Sequence, residues 1–185
     1  MTVPNLITTI RIILAPIFII YLLNGQFLEA LYVFVIAGIS DGADGLVARV
    51  FNQKSRLGAF LDPLADKILL VAAFVVLAVQ DHIPSWLAVI VITRDLLILL
   101  GVLILFLYRG HLKIRPSMLS KITTCLQLGA VFLVLIRNHF HLFSGYIFLV
   151  YWATGIMTIA SGLHYMRSWF LIIGEESTED KTALF

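Results

Sequence analysis

The deciding stretch reads Asp41-Gly-Ala-Asp44-Gly45-Leu-Val-Ala48-Arg49 and, after eight further residues, Gly58-Ala-Phe-Leu-Asp62-Pro-Leu-Ala-Asp66. On an α-helix, residues three, four and seven positions apart share a face, so positions 41, 44, 45 and 48 lie together. Positions 58, 62 and 66 recur every four residues and form one stripe of the next helix. We therefore predict two neighbouring antiparallel helices that present four carboxylates toward each other, beside small residues that let a ligand approach closely.

The composition around this stretch excludes an ordinary water-soluble globule. The 185 residues are 61% hydrophobic and 13% charged, whereas a soluble domain has about 45–50% apolar and about 25% charged residues. With a mean hydropathy of +1.01, the chain has more apolar side chain than one small core can bury. We therefore predict lipid as the solvent for most of the surface. The small net charge of +2 gives no reason to expect a nucleic acid polymer as a partner.

Joining the uncharged runs until each is long enough to cross a bilayer predicts an all-α integral membrane protein with six transmembrane helices. The predicted spans are about 12–28, 30–50, 58–80, 83–108, 122–137 and 142–166. Residues 1–170 form one membrane domain and residues 171–185 form a polar cytoplasmic tail that we expect to be solvated and disordered. The short segment from Pro4 to Arg11 either lies along the membrane surface, as a juxtamembrane segment, or extends the first helix.

The basic residues predict the orientation, because cytoplasmic loops carry an excess of Lys and Arg. With a cytoplasmic amino terminus, eleven of the thirteen Lys and Arg fall on the cytoplasmic side; Arg94 lies within a helix and Arg137 faces outward. Both termini and the acidic motif are then cytoplasmic, as in a multi-pass protein of a bacterial inner membrane. Trp86, Trp152 and Trp169 are predicted to anchor the helices at the membrane interfaces.

Four acids inside a membrane protein require compensation. Each carboxylate near the bilayer centre costs roughly 2.5–3.5 kcal/mol, so four cost on the order of 10 kcal/mol, comparable to the stability of a whole domain. Divalent cations such as Mg²⁺, Mn²⁺ or Ca²⁺ prefer oxygen ligands and offset the negative charge. The alternative is that the acids are solvated in cytoplasmic loops; two pairs at helical spacing, with small residues clearing the same face, favour the metal site.

These residues carry a family resemblance. The pattern D-x2-D-G-x2-A-R-x8-G-x3-D-x3-D matches at all eight fixed positions and resembles the signature of the CDP-alcohol phosphatidyltransferases. Such enzymes are six-helix membrane proteins, usually dimers, which transfer a phosphatidyl or related phosphoalcohol group from a CDP-linked donor and release CMP. The resemblance implies a metal-dependent transferase of phospholipid biosynthesis, a homodimer, and CDP-diacylglycerol and a glycerol-bearing acceptor as substrates.

The resemblance also implies a role for each motif position. A site for two Mg²⁺ or Mn²⁺ ions would be ligated by Asp41, Asp44, Asp62 and Asp66. The last of these would also be the base that takes the proton of the acceptor hydroxyl. The nucleotide and its phosphates would be held by Asn5, Thr8, Gly45, Ala48, Arg49 and Gly58.

The acceptor site has to be sought outside this motif. Arg94 is either a cation for an acceptor phosphate or one half of an ion pair with Asp95 that stabilises a buried helix. Arg115 and Lys121, before and at the start of the fifth helix, are further candidates for acceptor binding. Ser120 is a plausible helix cap there, and the residues predicted to lie on roughly one face are Lys121, Thr124 and Gln127.

Within the family, Thr93-Arg94-Asp95 with the later Ser120-Lys121 resembles the cardiolipin synthases, whose acceptor is phosphatidylglycerol. Relatives that use glycerol 3-phosphate usually have Arg-Glu and Gly-Lys at these positions, so phosphatidylglycerophosphate synthesis is the alternative. Two other classes remain: an intramembrane prenyltransferase, which needs more spans than 185 residues supply, and an ion or metal carrier, which has no use for small residues kept clear for a nucleotide.

Overall fold

The computed structural model describes the backbone of residues 3–51, 58–109, 118–140 and 145–182, and the side chains of residues 13–40, 67–101, 118–138 and 145–167. Over these ranges the chain is all-α. Its six helices are α1 (Val3–Leu23), α2 (Phe27–Phe51), α3 (Gly58–Val79), α4 (Ser85–Arg109), α5 (Met118–Phe140) and α6 (Ile147–Thr182). The all-α class and the number of helices predicted from the sequence are confirmed.

The first helix differs from the prediction at both ends. It begins at Val3, so the segment after Pro4 extends the helix instead of forming a separate element. It ends at Leu23, five residues early, because Gly25 adopts the left-handed conformation with φ +71°. The Gly25 amide donates to the Leu22 carbonyl and the Gln26 amide to the Tyr21 carbonyl, at 3.0 and 2.9 Å. This pair of bonds closes a helix end that glycine adopts without steric cost.

The carboxyl-terminal segment is also helical, which makes the expectation of disorder wrong. Helix α6 continues to Thr182 and includes most of the polar stretch after Gly174. That stretch has no proline, and its glutamates and lysine are good helix formers. Once a helix is nucleated, each added residue contributes a hydrogen bond at little further cost. A polar composition was therefore not sufficient evidence of disorder in this segment.

The helices pack in two groups that share one core. Helix α1 packs against α2 and α3, and α6 packs against α4 and α5, while α2–α5 and α3–α4 contacts join the groups. The core is apolar and includes the fully buried rings of Phe18 and Phe74. The rings of Phe18 and Phe34 lie 5.8 Å apart between α1 and α2, a distance typical of favourable aromatic pairs. This packing fixes α2 and α3, the two motif helices, against α1 and α5.

The outside of the bundle is as apolar as the composition predicts. Large side chains such as Ile39, Val79 and Phe148 are 67%, 76% and 67% exposed, and a soluble monomer rarely shows so much contiguous apolar surface. Among the described residues, two stretches are long and apolar enough to cross a membrane, Met118–Asn138 and Ile147–Arg167. Six spans therefore remain a prediction.

Candidate active site

The acidic motif lies on two helices, as its spacing predicted. Helix α2 contains positions 41, 44, 45, 48 and 49, and α3 contains positions 58, 62 and 66. Asn5 and Thr8 lie in α1. The helical register of both acidic pairs is therefore confirmed. The side chains of all these residues lie outside the described ranges, so their roles as metal and nucleotide ligands stay predictions.

A cavity of about 450 Å³ lies between α2, α3 and α5, directly beside the motif. Among the described residues, its lining includes Ile39 of α2, two positions before Asp41 in the chain, and Lys67 of α3, one position after Asp66. The described part of its wall is mostly hydrophobic, with Lys67 as its one charged side chain and Thr124 as a further polar one. Such a cavity fits a hydrocarbon chain attached to an anionic group.

Two glycines keep this cavity wide. Gly38 on α2 and Gly129 on α5 line it, and a Cβ atom built on either would meet no atom within 4 Å. Glycine in a helix interior is destabilising by roughly 0.5–1 kcal/mol relative to alanine. At both positions glycine, although unfavourable in a helix, leaves open space where another residue would have a side chain.

Beside the cavity, Lys67 belongs to a charged cluster that joins α3 to α4. Its Nζ lies 2.6 Å from Asp95 Oδ2, and the Arg94 Nη1 donates to Asp95 Oδ1 at 2.7 Å. Asp95 and Arg94 are only 6% and 3% exposed. Because buried charges are tolerated only when they are paired, each of these groups depends on the others.

Two serines complete the cluster. The Arg94 Nη2 donates to Ser120 Oγ at 2.7 Å and to Ser161 Oγ at 2.9 Å, so its guanidinium also ties α4 to α5 and α6. We call Lys67, Arg94, Asp95, Ser120 and Ser161 the Arg94 cluster. The ion pair that the sequence offered as one reading of Arg94 is therefore present. A direct contact with an acceptor phosphate stays a prediction, and in this conformation protein groups occupy both terminal nitrogens.

Two predictions for the start of α5, the cap and the shared face, do not agree with the structure. Ser120 is the third residue of α5, so it does not cap the helix. Thr124 lines the cavity, Gln127 is fully buried and bonded to Thr158 of α6 at 3.2 Å, and Lys121 is exposed. Three residues at i, i+3 and i+6 span about 120° around a helix, too wide for one face. The prediction that these three residues share one face is therefore wrong. Arg115 lies outside the described residues.

Sequence reasoning also missed two members of the cluster. Lys67 has a signal, since it directly follows Asp66, but a lysine counted among the cytoplasmic basic residues is usually explained by the membrane surface. Ser161 has no signal, because one serine in an apolar helix normally bonds its own backbone. Only the packing of α6 against α4 brings it to Arg94.

The chain belongs to the CDP-alcohol phosphatidyltransferase family, whose family model matches residues 1–164. It is thus an enzyme of a family whose sequence signature occupies α2 and α3, next to the cavity.

Similar proteins carry names of two kinds. The chain is 34% identical over 182 residues to the cardiolipin synthase (CMP-forming) of Rattus norvegicus, covering 89% of this chain and 60% of that protein. It is 34% identical over 184 residues to the CDP-diacylglycerol–glycerol-3-phosphate 3-phosphatidyltransferase of Bacillus subtilis, covering 90% and 94%. The Pseudomonas fluorescens protein of the latter name is 38% identical over 180 residues, covering 91% and 90%. The chain thus spans about three fifths of the rat protein and nearly all of the bacterial ones.

Proposed function

We propose that this protein transfers a phosphatidyl group from CDP-diacylglycerol to a glycerol hydroxyl and releases CMP. The observation that carries this proposal is the position of the cavity. A cavity whose described lining is apolar except for Lys67 and Thr124 adjoins, along α2 and α3, both acidic segments of a family signature that matches at every fixed position. A lipid with a phosphate head and hydrocarbon tail suits such a place, and the names of the Bacillus subtilis and Pseudomonas fluorescens relatives include CDP-diacylglycerol.

The residues of the motif suit divalent metal ions. Four carboxylate positions in helical register on α2 and α3 offer the oxygen donors that Mg²⁺ and Mn²⁺ prefer. We propose that Asp41, Asp44, Asp62 and Asp66 hold two such ions. When bound, the ions would supply positive charge for the attacking and leaving oxygens of an in-line displacement at phosphorus.

The chain's own residues would bind, orient and accept a proton. Asp66 is proposed to take the proton of the acceptor hydroxyl while that oxygen forms a bond to the phosphorus bearing the diacylglycerol. The bond from this phosphorus to the oxygen of CMP breaks, and CMP leaves with the electron pair. Arg49 would neutralise donor phosphate. The positions proposed to contact the nucleotide are Asn5, Thr8, Gly45, Ala48 and Gly58.

We propose that an acyl chain of a lipid substrate enters the cavity. The apolar side chains of α2, α3 and α5 line it, and the open space at Gly38 and Gly129 matches a flexible hydrocarbon chain. Burial of hydrocarbon is non-directional and proportional to area, so this wall favours long chains without selecting a head group.

Phosphatidylglycerol is the proposed acceptor, and glycerol 3-phosphate is the second candidate. The Arg94-Asp95 and Ser120-Lys121 pairs favour the first by resemblance, with Lys121 and Arg115 as proposed acceptor contacts. Relatives named for either reaction are similarly close to this chain. Both acceptors present a glycerol hydroxyl and a phosphate, so cationic residues alone do not separate them.

The proposal is tested with purified protein in lipid nanodiscs. With Mn²⁺ or Mg²⁺, CDP-diacylglycerol and phosphatidylglycerol, we expect CMP release that stops on chelation of the metal. Replacing a general base typically lowers the rate by about 10²–10⁴-fold, so Asp66→Asn should lose at least about a hundredfold.

Asp81→Asn is the matched control. Asp81 is an acid of the same chain between α3 and α4, with φ 59°, a conformation that asparagine tolerates. Its activity should stay within about twofold of wild type, in line with a surface change far from any special feature. Folded, metal-loaded protein that releases no CMP with either acceptor would contradict the proposal. Turnover with glycerol 3-phosphate alone would correct only the acceptor.

A further inference from the structure

Lys67 lies where the cavity, α3 and α4 meet. Its side chain lines the cavity, directly follows Asp66 and is 31% exposed, while its partner Asp95 has a side chain only 5% exposed. A lysine side chain carries about 2 kcal/mol of rotamer entropy. The 2.6 Å contact between Nζ and the Asp95 carboxylate therefore restricts an otherwise mobile ammonium to one place.

Asp95 is in turn held in place by Arg94 and, through Arg94, by two serines. The Arg94 guanidinium bonds its second carboxylate oxygen at 2.7 Å, and two serines from α5 and α6 hold that guanidinium at 2.7 and 2.9 Å. The aliphatic part of Arg94 also packs beside α6, where a Cβ built at Gly162 would lie 3.7 Å from Arg94 Cγ. Contacts thus run from α5 and α6, through two buried charges of α4, to the ammonium at the cavity.

We infer that Arg94 and Asp95 are positioning residues, which fix the Lys67 ammonium at the cavity, one position after Asp66 in the chain, so that it meets a phosphate oxygen of the bound lipid substrate. This rests on the proposed function and names the cation that serves it. A cation fixed in advance stabilises charge that develops on a phosphate without reorganising during the reaction. The role differs from a direct contact of Arg94 with an acceptor phosphate, which stays a separate prediction.

A double-mutant cycle tests the inference. The variants are Lys67→Met, Asp95→Asn and the double variant, with kcat and both KM values measured on folded protein. Removing one preorganised electrostatic group often costs about 10²–10³ in kcat, so we expect Lys67→Met to lose at least about tenfold. Because Asp95 acts through Lys67, adding Asp95→Asn to Lys67→Met should cost no more than about twofold further.

The two KM values identify the phosphate. A rise in KM for CDP-diacylglycerol assigns Lys67 to the donor diphosphate, and a rise for the acceptor assigns it to the acceptor phosphate. Either result supports a substrate phosphate as the ligand of Lys67, whereas a purely structural role would lower thermal stability without changing kcat or either KM.

A milder variant guards against a folding defect, because Asp95→Asn leaves Arg94 buried without its counter-ion. Ser161→Ala removes only one of the Arg94 bonds. We expect a loss of about two- to fivefold in kcat in the wild-type background and none in the Lys67→Met background. The matched control is Thr158→Val, which removes a buried hydroxyl of the same helix, α6, that is bonded to Gln127 of α5. It should lower Tm and leave kcat and both KM values within about twofold.

Three results would overturn the inference: wild-type kcat in Lys67→Met, additive losses in the cycle, or Arg94→Lys raising only the acceptor KM while Lys67→Met has no effect. The last result would restore the direct contact of Arg94. Wild-type protein that releases no CMP speaks against the proposed function instead, so the two failures are distinguishable.

Discussion

Single residues in this chain take their meaning from partners far away in sequence. From the sequence, Arg94 is either a cation for an acceptor phosphate or half of an ion pair with Asp95. The structure adds two hydrogen-bond partners of Arg94, Ser120 and Ser161, which lie 26 and 67 positions after it. The aspartates of the motif are different, because their spacing already places them in register on a helix. At this scale the sequence predicts which residues bear chemistry, and tertiary contacts show which of them are engaged.

His82 shows the same dependence at the opposite end of the bundle. It lies between α3 and α4, its ring contacts that of Phe27 edge to face at 4.9 Å, and its carbonyl accepts the Tyr151 hydroxyl at 2.7 Å. Burial lowers the pKa of His82 below its ordinary 6.5, the Arg137 guanidinium lowers it further, and Asp81 acts weakly in the opposite direction. The fold therefore favours the neutral imidazole.

The predicted consequence is a loss of stability in mild acid. Below pH 6.5 His82 is protonated in the unfolded chain and still neutral in the folded chain. Because the unfolded state then binds more protons, the free energy of unfolding decreases as the pH falls toward the lowered pKa. Thermal melts between about pH 7.5 and 5.5 should show a smaller drop in Tm for His82→Gln than for wild type. An identical drop in both proteins would show that other groups cause it.

At the scale of elements, helix ends and helix contacts have separate origins. The end of α1 follows from one glycine in the left-handed conformation, Gly25, which is a local signal. The cavity has no local signal, because Gly38 and Gly129 are 91 residues apart in sequence and become its lining only when α2 packs on α5. Glycine in an apolar helix is compatible with close packing as well as with open space.

Filling this cavity should discriminate against long acyl chains. Gly129→Leu adds a side chain where a Cβ meets no atom within 4 Å, so the protein can accept it and the substrate chain loses room. Excluding a few methylenes, each worth about 0.8 kcal/mol, should raise the KM for long-chain CDP-diacylglycerol about tenfold or more.

Chain length and a smaller side chain provide the controls. Short-chain CDP-diacylglycerol should be used almost normally by Gly129→Leu, and Gly129→Ala should bind both substrates as wild type does because it leaves most of the space. Equal losses for long and short chains would place the acyl chain elsewhere.

The whole molecule is proposed to cross the membrane six times, with both termini and the motif on the cytoplasmic side. Many large apolar side chains are exposed on the described surface, and an aromatic group formed by Trp86, Phe148 and Trp152 lies at the end opposite the motif. Aromatic residues concentrate at membrane interfaces, which supports a boundary at that end. The homodimer implied by the family resemblance stays a prediction.

Cysteine labelling tests this topology. Cys125 is exposed in the described structure, so Cys125→Ser provides the background for one new cysteine at a time. In intact cells, a membrane-impermeant maleimide should label Gln26→Cys, in the turn after α1, and should leave Lys181→Cys unlabelled until the membrane is opened. Both variants should react in detergent. Labelling of both positions from the same side would refute the proposed orientation.

Sequence alone determined the helical class, the family and the register of the acidic motif, because hydrophobicity and residue spacing act within one helix or between adjacent ones. The predicted ends of α1 and α6 and the predicted shared face on α5 were wrong. A single turn residue decides where α1 ends, and a few degrees of rotation per residue decide which side chains of α5 share a face. Tertiary structure decided which groups surround Arg94, where the cavity lies and that Lys67 borders it. Those features depend on contacts between helices distant in the chain, and no local pattern encodes which buried serine meets which buried charge.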